Sequence, residues 1–202
     1  MRVLVACEYS GIVRDAFLDE GHDAYSCDLL ETESRATKEH IERHFVGDAA
    51  DILPLAKWDL LIAHPPCTYL TNAGVRHLKE KSKALSGAER WVEMWKGAEF
   101  FNLFKKADVP RIAIENPIPH KYAVEKIGKY NQLIQPWQFG HDEQKAICLW
   151  LKNLPPLIPT KIMNGRSARV HQMSPGADRS KERSRFFIGV ARAMAQQWGS
   201  LS

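Results

Sequence analysis

The chain has 202 residues and a mass of 23.0 kDa, enough for one well-buried core and short for two domains. Apolar residues make up 45% and charged residues 26%, as in a soluble globular protein, and no apolar run approaches the ~20 residues that cross a bilayer. The net charge of +4 permits contact with a polyanion without demanding it; with no signal-peptide pattern in view, a cytoplasmic protein is expected.

Val3-Leu4-Val5-Ala6 reads as a short buried strand that turns at Glu8-Tyr9-Ser10-Gly11. Residues 12–20 follow as a helix with Ile12, Val13, Ala16 and Phe17 on one face, stopped by Gly21. Asp23 to Cys27 forms a second strand ending at Asp28, and this βαβ spacing implies parallel strands with a right-handed crossover. His44-Phe45-Val46 leads into Gly47-Asp48, and Ile52 to Ala56 predicts a short helical turn. Leu60-Leu61-Ile62-Ala63 is an apolar strand ended by Pro65-Pro66, because neither proline can donate to a sheet ladder and each fixes φ near −65°. Cys67 is thus placed on a stiff backbone at the carboxyl edge of a sheet, where α/β folds hold their ligands.

Residues 86–107 predict the longest helix, with Ser86 as its cap and Glu89 completing a capping box. Its apolar face comprises Trp91, Met94, Trp95, Ala98, Phe101, Leu103 and Phe104. Arg111 to Ile114 is a further strand running into Glu115-Asn116-Pro117, so a carboxylate is expected on the same edge as Cys67. Residues 117–142 read as irregular around a short helix at 120–128, residues 146–151 as a buried strand, and 153–180 as a loop rich in Pro, Gly and Ser. A helix from Arg185 to Trp198, with Ile188, Ala191, Met194 and Ala195 inward, closes the succession. The alternation points to one α/β domain over residues 1–202, with a mostly parallel sheet and helices on both faces.

Four cysteines without a CxxC spacing point to a reducing compartment and away from disulfides or zinc, so no metal is expected. Cys7, Cys27 and Cys148 read as core thiols. Basic residues gather at Lys161, Arg166, Arg169, Arg179, Lys181, Arg183 and Arg185, against Asp178 and Glu182, which suits either a solvated loop or phosphate contact. The turn after the first strand, followed by Asp28 at the end of the second, is a nucleotide-binding arrangement in which the carboxylate accepts from ribose hydroxyls. Gly11 is followed by Ile12-Val13-Arg14 and no GxGxxG exists, which weakens a pyrophosphate cofactor and favours one without phosphates, such as S-adenosylmethionine. Asp48 is placed to accept from an adenine amino group; for Asp28 and Asp48 alike, an ordinary turn-forming aspartate is the alternative.

In this order the residues resemble the cytosine-C5 DNA methyltransferase family, in a compact form like those of phages and prophages, lacking a large target-recognition domain. Tyr9-Ser10-Gly11 is similar to the family's Phe-Ser-Gly turn, Asp28 to its second-strand acid, and Gly47-Asp48 to its third element. Asp59 through Cys67 resembles the strand that ends in Pro-Pro-Cys, and Ile114-Glu115-Asn116 its Glu-Asn-Val element, with Pro117 replacing valine. Arg166 to Arg169 is similar to its Arg-x-Arg element, and Arg185 to Ala191 to its closing helix. Thr68 stands where the family has glutamine, and only residues 150–184 stand in for the recognition domain, as a reduced substrate-contacting loop region.

The resemblance implies a Rossmann-like domain that moves a methyl group from S-adenosylmethionine to carbon 5 of cytosine in DNA, in a bacterial or phage-infected cell. It assigns Cys67, Glu115 and Arg169 to catalysis. Tyr9, Ser10, Gly11, Asp28, Asp48 and Pro65 go to the cofactor, and Asn116, Arg166 and Thr68 to the substrate. DNA is the expected partner, with a partner protein or a second copy supplying target recognition. Alternative readings are a modifier of cytosine in free nucleotides or RNA, an amino-methyltransferase, for which Cys67 offers no stacking ring, and a non-catalytic cofactor- or DNA-binding accessory protein.

Overall fold

The computed structural model describes residues 1–34, 37–72, 87–168 and 185–201. Seven strands form one sheet: β1 (Arg2–Ala6), β2 (Asp23–Asp28), β3 (His44–Val46), β4 (Leu60–Ala63), β5 (Arg111–Asn116), β6 (Gln132–Ile134) and β7 (Ile147–Lys152). Their order is β3-β2-β1-β4-β5-β7-β6. Strands β1 to β5 pair in parallel, and β7 runs antiparallel between β5 and β6, so β6 points the same way as β5. The order reverses between β1 and β4, which makes the carboxyl ends of those two strands the switch point where an open α/β sheet binds ligands.

The central strands are apolar on both faces because both faces are covered. Val3, Val5, Leu60 and Ile62 point toward α1 (Ile12–Asp19) and α6 (Ile188–Gly199), sharing a cluster with Phe17, Met194 and Trp198. Leu4, Ala6, Leu61 and Ala63 point the other way, into a cluster with Met94, Phe101 and Phe104 of α4 (Gly87–Lys105) and Ala123 and Ile127 of α5 (Lys121–Ile127). Two short helices, α2 (Lys38–Glu42) and α3 (Ala49–Ile52), flank β3.

Several expectations shift. The turn foreseen at Ile52 to Ala56 is present as a 3-10 turn at Leu53–Leu55, and it continues α3, which starts earlier because the Asp48 side chain accepts from the Ala50 N–H at 2.8 Å and caps it. On α4 the inward stripe is Met94, Ala98, Phe101 and Phe104, whereas Trp95 and Leu103 are exposed; the face is narrower than the run of aromatics implied. Ser86 lies outside the described residues. Ile188, expected inward, is exposed at the first turn of α6, and Val190, Ala191, Met194, Ala195 and Trp198 carry the buried face. Strand β6 lies within residues 117–142, where the sequence predicts irregular chain around a short helix. Its three residues are too few to show a period, and its place is fixed by β7 and by the Gln132 side chain, which both donates to and accepts from the Leu157 backbone at 2.8 Å. Glu115 and Asn116 belong to β5 itself.

Among the described residues no helix is long and apolar enough to cross a membrane, and no three His, Cys, Asp or Glu side chains gather as a metal site.

Candidate active site at the carboxyl edge of the sheet

Ala6 pairs with both Cys27 and Ala63, and Ala63 pairs with Ile114. This register brings the residues that follow them, Cys7-Glu8, Asp28, His64-Pro65 and Glu115-Asn116, out along one edge. The β4 exit is tied to β5 twice. The buried Asn116 amide donates to the Pro65 carbonyl at 2.9 Å, and the His64 ring Nδ1 lies 3.2 Å from Glu115 Oε2. The His64 N–H also continues the ladder to the Ala6 carbonyl at 3.0 Å. Pro65 is buried, Cys67 half-buried, and Pro66 and Thr68 exposed.

Beyond Cys67 the chain is held again. The Cys67 carbonyl accepts from the Leu70 N–H at 3.1 Å, closing a tight turn. The buried His120 donates its backbone N–H to the Leu70 carbonyl and its ring Nε2–H to the Tyr69 carbonyl, both at 3.0 Å, while Nδ1 accepts from the Ala123 N–H and caps α5. That pattern requires the neutral Nε2–H tautomer. The backbone carrying the thiol is therefore clamped on one side by the end of β5, through Asn116, and on the other by His120 in the segment that follows it.

The first turn is built around a carboxylate. Glu8, buried at 4% exposure, accepts the Val13 N–H at 2.7 Å and the Arg14 N–H at 3.2 Å, and so fills the amino end of α1. Burial pushes its carboxyl up; His64, the two N–H groups and the Arg14 guanidinium oppose that shift. The Ser10 hydroxyl donates to the same carboxylate at 3.3 Å. Gly11 has φ of +74°, and a Cβ there would collide with the Arg14 guanidinium and the Ser34 side chain. Arg14 is wholly buried, paired with Asp15 at 2.7 Å and donating to Ser26 Oγ at 3.0 Å. The Ser26 hydroxyl donates to His44 Nδ1 at 2.8 Å, whose Nε2–H donates to the Leu30 carbonyl at 2.9 Å. Burial lowers the His44 pKa, as a neutral ring in that chain requires. The stretch after β2 is braced by this network, and it bends back so that the Glu33 N–H reaches the Tyr9 carbonyl at 2.8 Å.

The remaining residues assigned from the sequence lie as follows. Tyr9 and Ser10 are buried in the first turn. Asp28, at the end of β2, accepts the Leu30 N–H through Oδ1 at 3.0 Å. Asp48 is exposed and caps α3. Arg166 is exposed, its guanidinium stacked 3.7 Å over the Trp137 ring and bonded to the Met163 and Gly165 carbonyls. Trp137 follows β6, whose final residue Ile134 pairs with Ile147, so the stack stands at the same edge of the sheet, on its far side. The 137–144 and 161–167 segments are knitted by Gly140 N–H to Lys161 O at 2.8 Å, Met163 N–H to Trp137 O at 2.8 Å and Gln144 N–H to Ser167 O at 2.7 Å. Arg169 lies outside the described residues, as do Arg179, Lys181 and Arg183.

An implied S-adenosylmethionine fits this edge on chemical grounds. The Glu8 carboxylate occupies the helix end that would otherwise bind a pyrophosphate, and it is joined along the edge by Asp28 and Asp48. An acidic, phosphate-excluding rim suits a cofactor that carries positive charge and no phosphate.

The sequence pattern assigns no role to Glu8, Glu33, His64 or His120. A glutamate three residues before a helix-initiating glycine is a legible signal for Glu8. Nothing local marks Glu33, whose carboxylate grips Arg185 from across the chain at 2.8 and 3.1 Å.

No family profile and no curated protein sequence matches the chain. Among solved structures it is similar to a prophage-encoded DNA modification methyltransferase of Escherichia coli, with a TM-score of 0.49 and 15% identity over 81% of this chain and 52% of that one. It is also similar to a methyltransferase of Entamoeba histolytica, with a TM-score of 0.46 and 11% identity over 89% of this chain and 62% of that one. The chain thus spans little more than half the length of these proteins.

Proposed function

We propose that this protein is an S-adenosylmethionine-dependent methyltransferase that modifies carbon 5 of cytosine in DNA through a covalent adduct with Cys67. The observation that carries the reading is the double tie between the β4 and β5 exits, Asn116 to Pro65 and His64 to Glu115, which brings the Pro-Pro-Cys turn beside an acidic side chain. Carbon 5 of cytosine is too weak a nucleophile to take a methyl group unaided. Addition of the Cys67 thiolate to carbon 6 turns the ring into an enamine and enriches carbon 5. Glu115 donates a proton to ring N3, where charge develops as the S–C bond forms.

Bound at the edge formed by Tyr9, Ser10, Gly11, Asp28, Asp48 and Pro65, the cofactor supplies an electrophilic methyl group. Asn116 holds the Pro65 carbonyl and so fixes the approach of the thiol. Loss of the carbon-5 proton to water and expulsion of Cys67 restore the aromatic ring. A target base in a duplex first leaves the stack, at a cost of a few kcal/mol; Thr68, Arg166 and Arg169 are assigned to contacts that hold it. Target recognition is assigned to a partner protein or a second copy.

The test is covalent trapping on a duplex containing 5-fluorocytosine with S-adenosylmethionine present, because the fluorine blocks the final elimination. Wild type is expected to give a protein–DNA adduct and Cys67→Ser none. An adduct that survives the substitution sinks the assignment of the nucleophile. Trapping of a free nucleotide or an RNA but no duplex moves the reaction to that substrate, and cofactor binding without any transfer leaves an accessory protein.

A further inference from the structure

His64 is not accounted for by the fold. Its ring is nearly buried, at 11% side-chain exposure, and stands against the Phe186 ring with centroids 4.8 Å apart. Nδ1 lies 3.2 Å from Glu115 Oε2, and Nε2 is buried with no hydrogen-bond partner among the described residues. A carboxylate oxygen only accepts, so Nδ1 is the protonated nitrogen when Glu115 is ionised. Leaving a buried ring nitrogen unpaired costs free energy, which a purely structural role would avoid. The charged and titratable groups around the ring are Glu115 from β5 and Glu8 from the β1–α1 turn, with Cys148 of β7 next to Glu115.

We infer that His64 is a positioning residue for Glu115: its Nδ1–H holds Oε2, presents Oε1 to the pyrimidine and stabilises the carboxylate formed during the reaction. This rests on the cytosine-methylation reading. As Cys67 Sγ bonds to carbon 6, the C5=C6 π pair moves to C4–C5 and the C4=N3 pair moves to N3, which takes the proton from Oε1. Glu115 is left as a carboxylate gripped by the imidazole N–H. A hydrogen bond to an ionised acceptor is stronger than one to a neutral acid, so the His64 contact strengthens as the adduct forms. When Sγ departs, the N3 proton returns to Oε1.

The test compares His64→Ala, His64→Asn and His64→Gln. The asparagine amide can stand near the place of Nδ1, whereas that of glutamine reaches toward Nε2. Single-turnover methylation of a cytosine duplex is expected to fall about tenfold to a hundredfold in His64→Ala, the worth of one charge-assisted hydrogen bond. His64→Asn should recover most of it, His64→Gln should not, and the affinities for S-adenosylmethionine and DNA should hold. The acid-to-base limb of the rate-against-pH profile should also move in His64→Ala. Should that variant fail to fold by circular dichroism, the Asn–Gln contrast carries the test, and equal rates for the two overturn the inference. A full rate in His64→Ala overturns it too.

The pair is read independently of catalysis by nitrogen-15 shifts of the His64 ring in the free protein. A protonated Nδ1 that changes in Glu115→Ala is expected, and an unprotonated Nδ1 overturns the assignment. A wild type that shows the protonated Nδ1 and yet traps no 5-fluorocytosine refutes the methylation reading, and the catalytic role of His64 with it.

Discussion

The Asn116 side-chain amide donates to the carbonyl of Pro65 at 2.9 Å, and this bond joins the ends of two neighbouring strands across 51 positions of sequence. Both residues are buried, so the carbonyl has no water to turn to when the amide is removed. Asn116→Ala is expected to cost about 1–3 kcal/mol by urea denaturation, the price of a buried acceptor left unpaired. Alkylation of Cys67 should change in the same variant, because its backbone loses one of its two clamps. An unaltered denaturation midpoint and alkylation rate would show that the bond constrains neither.

The cysteines should separate sharply by reactivity. Burial pushes the thiols of Cys27 and Cys148 up to about 12, with Glu115 adding to the effect at Cys148, and burial also drives Cys7 upward. Native protein treated with iodoacetamide at pH 8 is expected to label Cys67 and spare the other three. Native Cys67→Ser should then stay unlabelled until it is unfolded.

A linked effect appears at alkaline pH. Unfolded thiols ionise near 8.5, whereas the folded Cys27 and Cys148 hold their protons to about 12. Their contribution to stability is complete below the unfolded value and is lost as pH rises from about 8.5 toward 12. Urea midpoints measured from pH 7 to 11 should fall, and the fall should be shallower in Cys27→Ala. A parallel fall in both proteins would remove Cys27 as a cause.

Gly11 is required twice, by its left-handed backbone and by the closeness of Arg14 and Ser34. Gly11→Ala should lose about 1–2 kcal/mol from the backbone alone and more from displacing Arg14 out of its buried pair with Asp15. Affinity for S-adenosylmethionine, measured by calorimetry, should fall with it. A variant as stable as wild type would mean that the turn can relax.

The Arg185–Glu33 fork is partly exposed, so Arg185→Ala should cost at most about 1 kcal/mol and less at high salt. Its larger consequence concerns Phe186, the next residue, which packs against His64. Methylation should drop by more than the loss of stability explains. Activity that only tracks stability would confine the fork to holding the chain together.

Trp137 and Arg166 stack at the edge beside β6, and under the DNA-methylation reading proposed above they would meet the nucleic acid. Trp137→Ala is expected to weaken DNA binding by about 1–3 kcal/mol if a base stacks there, and Arg166→Ala to reduce the salt dependence of binding by about one charge. Unchanged affinity and salt slope in both would place DNA elsewhere.

Short-range patterns in the sequence sufficed for the alternation of strands and helices, the stop at Pro65-Pro66 and the placing of Cys67 and Glu115 at strand ends, because apolar periodicity and proline chemistry act between neighbouring residues. Only the tertiary structure decided that β7 runs backward, that β6 exists, and that His64 meets Glu115. Each of these depends on partners far apart in the chain, and a contact across 51 residues leaves no trace in local pattern until the sheet brings its two ends together.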